Sequence, residues 1–467
     1  MDNGQVDWGN RGNVSGVNLP VLRGHNDALV LDLLRGADLV GLPGLGRGDL
    51  ADRTGLTPQA VSKITARLRA DGLVADAGRE ASTGGKPRTL LRLVPEARYA
   101  VGVHLDRDEL TAVRVDLAGR VVARGRGPLS FGDGPDAAVE EVVRAVARVW
   151  DGGPAGRPPV LGVGVAAPGP LDWRTGVLGR VTGHPEWEGF PLREVLEGRL
   201  GLPVLVDKDT NAGVAGAGFG GAGFGGAGSG GRASGEGASG GAGFGAVGSG
   251  PVGSGPVGAG GVGLGGNGSG RVHSSRSSSG GVGSRGGVAG GGVAGGGGVG
   301  GISFGGDGFG LAVAYVHVGT GLGAGLRLGV GGEVYRGRRS AAGEFGHQVL
   351  RLDGPQCRCG GRGCAEVLCL EAVAEGRLEE AARIVGEAAA NLVALLDVDR
   401  VLLGGRVVEA APGVFLDGVR AVVGERSLAW PLSVAGGEGV RVDLAEVGVA
   451  EGAAELVLAP VFGRGVG

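Results

Sequence analysis

The sequence predicts an α/β protein that opens with a winged helix-turn-helix, on three observations. Over residues 19–95, two helical patterns meeting a third with its own cap run into a glycine-turned hairpin. From about residue 96, short apolar strands alternate with amphipathic helices. Between about residues 220 and 307, nearly every second residue is glycine, which interrupts that alternation without supplying a core of its own.

In the first segment, HNDALVLDLLRG places Leu29, Val30, Leu33 and Leu34 at helical spacing. GDLADRTG supplies a short second helix that ends at Gly55. In LTPQAVSKITARLRADGLV, Thr57 is a helix cap, Pro58 fits the first turn, and Val61, Ile64 and Leu68 form a buried stripe. The opposite face carries Gln59, Ser62, Lys63 and Arg67. That is the layout of a recognition helix, which offers amides and hydroxyls to base edges and cations to phosphates. The hairpin STGGKPRTLLRL then sets Lys86 and Arg88 at its tip, as a wing would. The whole 467-residue chain has a formal charge of −3, which excludes a uniformly basic nucleic-acid coat. Residues 19–93, however, hold 11 basic against 8 acidic side chains. The one positive segment is thus the one shaped for double-stranded DNA. A small protein-interaction module is the plainer alternative, and the wing and the charge contrast weigh against it.

Residues 1–18 are polar, glycine-rich and aperiodic, and are expected to form a disordered tail. After residue 96, YAVGVHLD, LTAVRVDL and RVVARGR read as consecutive strands, DAAVEEVVRAVARVW as a helix and VLGVGVAAPG as a buried strand. Of the 109 glycines, many fall in the 220–307 insertion, whose GFGGA and VGSGP units lack the apolar mass to offset the entropy of ordering. A phosphate-cradling loop would need a strand before it and a helix after it, and neither frames this stretch. The repeated units read as slippage, so an inert flexible loop is expected. After Phe309 the α/β pattern resumes with LAVAYVHVGTG. No apolar run nears the roughly 18–20 residues that span a bilayer, and the first residues lack a basic start followed by an apolar stretch. A soluble cytoplasmic protein is the expectation.

The four cysteines sit close together, which suits a metal site better than a disulfide framework. Cys357, Cys359 and Cys364 lie in a tight glycine-rich loop, and with the imidazole of His347 they make a Cys3His set suited to Zn2+. Four protein ligands leave no position for an activated water, so this zinc should be structural. Free cytosolic thiols are the alternative. Cys369 lies on an apolar helix face and belongs to the core.

LRGHN, TGGKP, GVGVAAPGPLD, GLPVLVDKDTNAG, VHVGTGLGAGL, AAGEFGH, CRCGGRGC and LLGG occur in that order. Together they resemble the ROK family (repressors, open reading frames, kinases), and its transcriptional regulators in particular. The resemblance covers the chain apart from the tail and the glycine insertion. It implies a two-lobed actin-like, ribonuclease H-like sugar-kinase fold with a sugar in the interlobe cleft, in a homodimer or homotetramer on operator DNA. Polyols are held by carboxylates and imidazoles that pair with vicinal hydroxyls, and Asp209, Glu344, His347 and Glu366 supply them, with Asn211 beside Asp209. By resemblance these residues match the family's sugar contacts, and Asp209 matches the general base of its kinases. His347 could then serve twice, binding zinc through one nitrogen and a hydroxyl through the other.

Three departures from the family pattern shape the functional expectation. Its kinases resemble one another in a D-x-G-x-T turn, where this chain reads HLDRD and puts His104, Asp106 and Asp108 in those places. Two carboxylates aimed at a triphosphate would repel it, and phosphoryl transfer depends on charge neutralisation, so kinase activity and catalytic residues are expected to be absent. Lys208 replaces the usual Asn before Asp209, which would favour a sugar phosphate or an acidic sugar. Gly213, Gly216 and Gly218 weaken the helix behind the pocket, which should therefore be looser. The reading is a sugar-controlled transcriptional regulator. The alternatives are an active ATP-dependent sugar kinase with an attached DNA-binding domain, resting on Asp209 and the retained GTGLGAG turn, and a kinase-like domain that only oligomerises.

Overall fold

The computed structural model describes residues 19–79, 88–151, 158–181, 183–217, 311–328, 332–428 and 439–465. The expected tail, the glycine-rich insertion and Lys86 lie outside these residues.

The chain begins with α1 (Leu19–Leu39), β1 (Leu45–Gly46), α2 (Arg47–Thr54), α3 (Pro58–Ala70), β2 (Val74–Arg79) and β3 (Thr89–Leu93). Each boundary has a local cause. The Asp49 carboxylate accepts the Gly46 N–H at the start of α2, and Gly55 ends that helix at φ 68°, in the left-handed region. Thr57 Oγ1 accepts the Ala60 N–H and starts α3, with Pro58 in the first turn and Val61, Ile64 and Leu68 buried. The strands form a sheet of order β1-β3-β2, antiparallel throughout, so three helices are backed by a hairpin as in a winged helix.

Two α/β lobes follow. The first contains β4 (Tyr99–Asp106), β5 (Glu109–Asp116), β6 (Val121–Pro128), α4 (Pro135–Trp150), β7 (Val160–Ala167), β8 (Leu171–Asp172), β9 (Val177–Leu178), α5 (Leu192–Leu200), β10 (Val204–Lys208) and α6 (Asp209–Gly216). Its main sheet runs β10-β7-β4-β5-β6, with β4, β5 and β6 antiparallel and β7 and β10 added in parallel. The second contains β11 (Val313–Val318), β12 (Leu322–Arg327), α7 (Ala365–Ala374), α8 (Leu378–Leu396), β13 (Arg400–Gly404), α9 (Arg406–Ala410), α10 (Pro412–Leu428) and β14 (Arg441–Leu444), and α11 (Val449–Leu458) closes the fold. Its sheet runs β12-β11-β13-β14, again an antiparallel hairpin followed by parallel strands. This repeated plan is the two-lobed actin-like architecture that the family resemblance implies.

The last helix ties the parts together. A Cβ on Gly102 of β4 would lie 1.8 Å from the Ala450 carbonyl oxygen, and one on Gly164 of β7 1.9 Å from that of Ala453, so α11 rests directly on strand backbone. On another side, a Cβ on Gly452 would lie 1.9 Å from the Ala212 carbonyl oxygen of α6. The core of the N-terminal module is continuous with that of its neighbour. Val30, Leu31 and Leu34 of α1 pack in one buried cluster with Val113 and Val115 of β5 and with Ala454, Leu458 and Phe462 at the chain end. Among the described residues, no helix is long and apolar enough to cross a membrane.

Candidate functional site

The α3 surface is the first candidate. Thr57, Gln59, Ser62, Lys63 and Arg67 are all exposed there, on the face opposite the buried stripe. Lys63 makes no ion pair among the described residues, whereas the Arg67 guanidinium is held by the Asp27 carboxylate of α1, with Nε donating to Oδ2 at 3.0 Å. Arg67 is therefore not the free phosphate-binding cation that helical spacing alone suggests. Helical spacing cannot reveal a partner that lies 40 residues away. Arg88 is exposed immediately before β3, on the hairpin.

A second candidate lies where the lobes' leading hairpins meet. Thr320, in the turn between β11 and β12, donates its hydroxyl to Asp106 Oδ1 at 2.9 Å. Arg406, at the start of α9, places Nη1 2.7 Å from both Asp108 oxygens and Nε 3.6 Å from Asp106. This corrects the electrostatic argument from HLDRD: the two carboxylates are not a bare repulsive pair, because an arginine from the other lobe pairs with Asp108, lies near Asp106 and offsets one of their two charges. Protein groups from both lobes engage the turn where a phosphate loop would stand.

Behind this turn, ligand atoms of His104, Asp209 and His317 lie within 4.8 Å of one another. The imidazoles meet edge-on, with centroids 5.9 Å apart and planes at 88°. Burial, reinforced by the neighbouring His317 and opposed by Asp209, lowers the His104 pKa from 6.5 to about 4, so its ring is neutral near pH 7. His104 Nε2 is buried without a hydrogen-bond partner, while His317 Nδ1 lies 3.2 Å from the Tyr315 hydroxyl. Sequence reasoning missed His317, Tyr315, Thr320 and Arg406. The only available signal was a histidine facing inward in the otherwise apolar strand VAYVHV.

The expected effector residues fall into two sets. Asp209 opens α6, and its Oδ1 accepts the Thr210 N–H at 2.6 Å. Glu344 is exposed, and its Oε2 lies 3.9 Å from His347 Nε2. Glu366, in the first turn of α7, accepts the Leu322 N–H through Oε2 at 3.0 Å, which ties it to the start of β12. Asn211 is different: it is 2% exposed, and its Nδ2 donates to Asp207 Oδ1 at 2.7 Å. Asp207 also accepts from Arg336 Nε at 2.8 Å, and the Arg336 guanidinium lies 4.5 Å from the Trp173 ring centroid. Asn211 thus braces a buried polar cluster instead of presenting itself to a ligand.

Two further expectations are corrected here. Lys208 is 4% exposed, and its ammonium donates to the Ala342 carbonyl oxygen and, at 3.3 Å, to Glu344 Oε1. With those contacts made, it gives no reason to prefer an anionic sugar. The glycines of α6 are not signs of looseness either. A Cβ on Gly213 would lie 2.2 Å from a carbon of the Tyr315 ring, so glycine allows close packing at that point.

The third candidate is the cysteine loop. Ligand atoms of His347, Cys357, Cys359 and Cys364 all lie within 4.8 Å of one another. Cys359 and Cys364 sulfurs are 3.7 Å apart, and Cys357 Sγ is 3.8 Å from His347 Nδ1. Tetrahedral zinc with bonds of about 2.3 Å to sulfur and 2.0–2.1 Å to nitrogen needs separations of roughly 3.8 and 3.6 Å, so the donor set fits. Burial and the neighbouring thiols push the Cys364 thiol up to about 12, while the Gly361 N–H favours the Cys359 thiolate. Because Nδ1 of His347 faces the sulfurs, its Nε2 is left on the Glu344 side. Cys369 is fully buried in the second lobe's core, as its helix face predicts.

Residues 310–378 match the model of the ROK family. That segment holds β11, β12, the cysteine loop and three of the expected effector residues. The chain is 20% identical over 332 residues to the xylose repressor of Bacillus subtilis (strain 168), covering 70% of this chain and 62% of that repressor. It is 30% identical over 168 residues to the DNA-binding transcriptional dual regulator NagC of Escherichia coli (strain K12), covering 35% and 40% of the two chains. The chain therefore spans less than two thirds of the curated relatives it matches. Among solved structures, a ROK family transcriptional regulator described as a homologue of the E. coli MLC protein aligns with TM-score 0.61 at 16% identity, over 95% of this chain and 98% of that one. At that identity the likeness shows the fold.

Proposed function

We propose, from the premise that this chain carries a ROK-family domain over residues 310–378, that it is a sequence-specific DNA-binding transcriptional regulator controlled by a carbohydrate effector. The observation that carries the proposal is an exposed, capped α3 whose buried core is continuous with β5 and with α11, the helix that rests on the backbone of α6 next to Asp209. In this reading Gln59 and Ser62 reach base edges, Lys63 and Arg88 meet phosphates, and Thr57 fixes the helix start. A sugar bound in the cleft is held by Asp209, Glu344, His347 and Glu366. Zinc held by His347, Cys357, Cys359 and Cys364 supplies a structural staple and fixes the His347 ring, leaving Nε2 for a hydroxyl. A symmetric oligomer would suit a palindromic operator.

The reading assigns no kinase activity. A nucleotide would have to displace the Thr320 and Arg406 contacts to approach Asp106 and Asp108. Communication between effector and DNA runs, in this account, through α6, α11 and α1. Those helices are linked by the Gly452–Ala212 backbone approach and by the Arg35–Glu455 ion pair.

Selection of DNA from a random pool by the full chain, followed by binding titrations at several salt concentrations, tests the first half of the proposal. Saturable, sequence-selective binding that weakens with salt is expected, and binding without sequence preference would refute it. A thermal-shift panel of pentoses, hexoses and amino sugars, run beside an ADP-release assay, tests the second. A sugar should raise the melting temperature without nucleotide turnover. Turnover above background would favour the kinase reading.

A further inference from the structure

We propose that His104, Asp209 and His317 form a second metal site, built for a divalent first-row transition ion of the zinc or cobalt class and distinct from the cysteine loop.

The three side chains come from β4, from the first turn of α6 and from β11, so the site joins the two lobes. Their ligand atoms lie within 4.8 Å of one another, close enough for small side-chain rotations to bring two nitrogens and one oxygen to bonds of about 2.0–2.2 Å. Three features single this cluster out from an ordinary buried polar group. First, His104 Nε2 is buried and makes no hydrogen bond, and such an atom is costly to leave unsatisfied. Second, the Tyr315 oxygen lies 3.2 Å from His317 Nδ1, and a ring that donates Nδ1–H to it, as a metal-bound imidazole donates to an outer acceptor, has Nε2 as its ligand atom. Burial keeps that phenol protonated. Third, the chain backbone makes room at Nε2, because a Cβ on Gly319 would come within 2.7 Å of it.

The donor chemistry selects the ion. Two imidazoles and one carboxylate disfavour magnesium and calcium, which take oxygen ligands, and suit zinc, cobalt, nickel or ferrous iron. Three protein ligands also leave at least one coordination position open, unlike the closed cysteine loop. The inference stands on these side chains alone and does not require that the cleft take a sugar.

The test is metal stoichiometry on the full-length chain, stripped by chelation and titrated with Co2+. Two phases are expected: one with the intense sulfur-to-cobalt charge-transfer absorption of the cysteine loop, and one with weaker d–d bands only. Elemental analysis at saturation should give two ions per chain for the parent. It should give one for His104→Asn, and one for Cys359→Ser, which keeps the phase lacking charge transfer. Tyr315→Phe should weaken the second phase about 10–100-fold while leaving the first unchanged. Asp209→Asn, at the edge of the cluster, provides the same reading should His104→Asn fail to fold by circular dichroism. Saturation of the parent at one ion, or retention of two by the folded variants, overturns the proposal.

Discussion

Arg35 of the first helix and Glu455 of the last helix share two hydrogen bonds, Nη1 to Oε1 at 2.9 Å and Nη2 to Oε2 at 2.7 Å, across 420 residues of sequence. Both side chains are almost wholly buried, at 1% and 6% exposure, so neither charge is screened by water. The arginine also lies 4.4 Å from the Phe462 ring centroid. The pair fixes α1 onto α11, and α11 in turn rests on α6, where Asp209 sits.

Breaking that pair should be expensive. Arg35→Met leaves a buried carboxylate uncompensated and should cost about 3–5 kcal/mol in urea unfolding. The double variant Arg35→Met, Glu455→Leu should recover most of that loss, because both desolvated charges are gone. A double variant as unstable as the single one would mean that the pair's shape, and not its charge, holds the helices together.

On α3, Lys63 and Arg67 should behave differently although both are exposed. Lys63→Ala should weaken DNA binding and reduce the slope of log K against log salt by about 1. Arg67→Ala should have a smaller effect, since Asp27 already neutralises the guanidinium. Asp27→Ala should tighten binding by releasing it. Equal effects of the two alanine variants in salt titrations would contradict the geometry.

Gly213→Ala separates helix propensity from packing. Propensity favours alanine by up to about 1 kcal/mol. The added methyl would meet the Tyr315 ring at 2.2 Å, which forces a shift costing about 1–3 kcal/mol. Net destabilisation is expected in chemical denaturation, and a gain in stability would restore the view of α6 as a loose helix.

Zinc removal should affect one loop selectively. Cys359→Ser should lose the zinc of the cysteine loop and lower the melting temperature, and chelation of the parent should lower it reversibly. Cys369→Ser should keep its zinc, because that thiol is buried in the core of the second lobe and outside the cluster. A cobalt-substituted Cys359→Ser that keeps the full sulfur-to-cobalt charge-transfer absorption would remove that residue from the ligand set.

Stability of the metal-free chain should depend on pH through His104. Its pKa falls from 6.5 to about 4 on folding, chiefly through burial, so between those values the unfolded chain takes up a proton that the folded chain refuses. The contribution is therefore complete above pH 6.5, is lost as pH falls through the window and levels off below about 4. At about 1.4 kcal/mol per unit the loss amounts to a few kcal/mol. Unfolding free energies of parent and His104→Asn should converge toward pH 4.5, and parallel curves would deny the histidine this burial.

Much of this molecule was legible in its sequence wherever the signal is local. Thr57, Pro58 and the Val61, Ile64, Leu68 stripe define α3 within a few turns, and the spacing of Cys357, Cys359 and Cys364 marks a group of side chains that the fold brings together with His347 and that could hold a metal ion. What escaped depends on pairs far apart in the chain. Nothing near Lys208 signals that Glu344 occupies its ammonium, nor does HLDRD disclose that Arg406 reaches across to Asp108. Nor does the apolar strand around His317 disclose that the fold sets it beside His104, 213 positions earlier in the chain. Side-chain periodicity reports which face is buried, and it carries no information on which distant face is met.

The most direct test of the central claim, that a ligand in the interlobe cleft controls the α3 surface, is DNA affinity with and without sugar. Fluorescence anisotropy with the selected DNA should be measured at fixed salt, with and without a sugar that raises the melting temperature. The account predicts a change in Kd of roughly 5–150-fold, corresponding to a coupling of about 1–3 kcal/mol, and its loss in Arg35→Met, Glu455→Leu. An unchanged Kd at saturating sugar would show that the cleft and the DNA-facing helix are uncoupled.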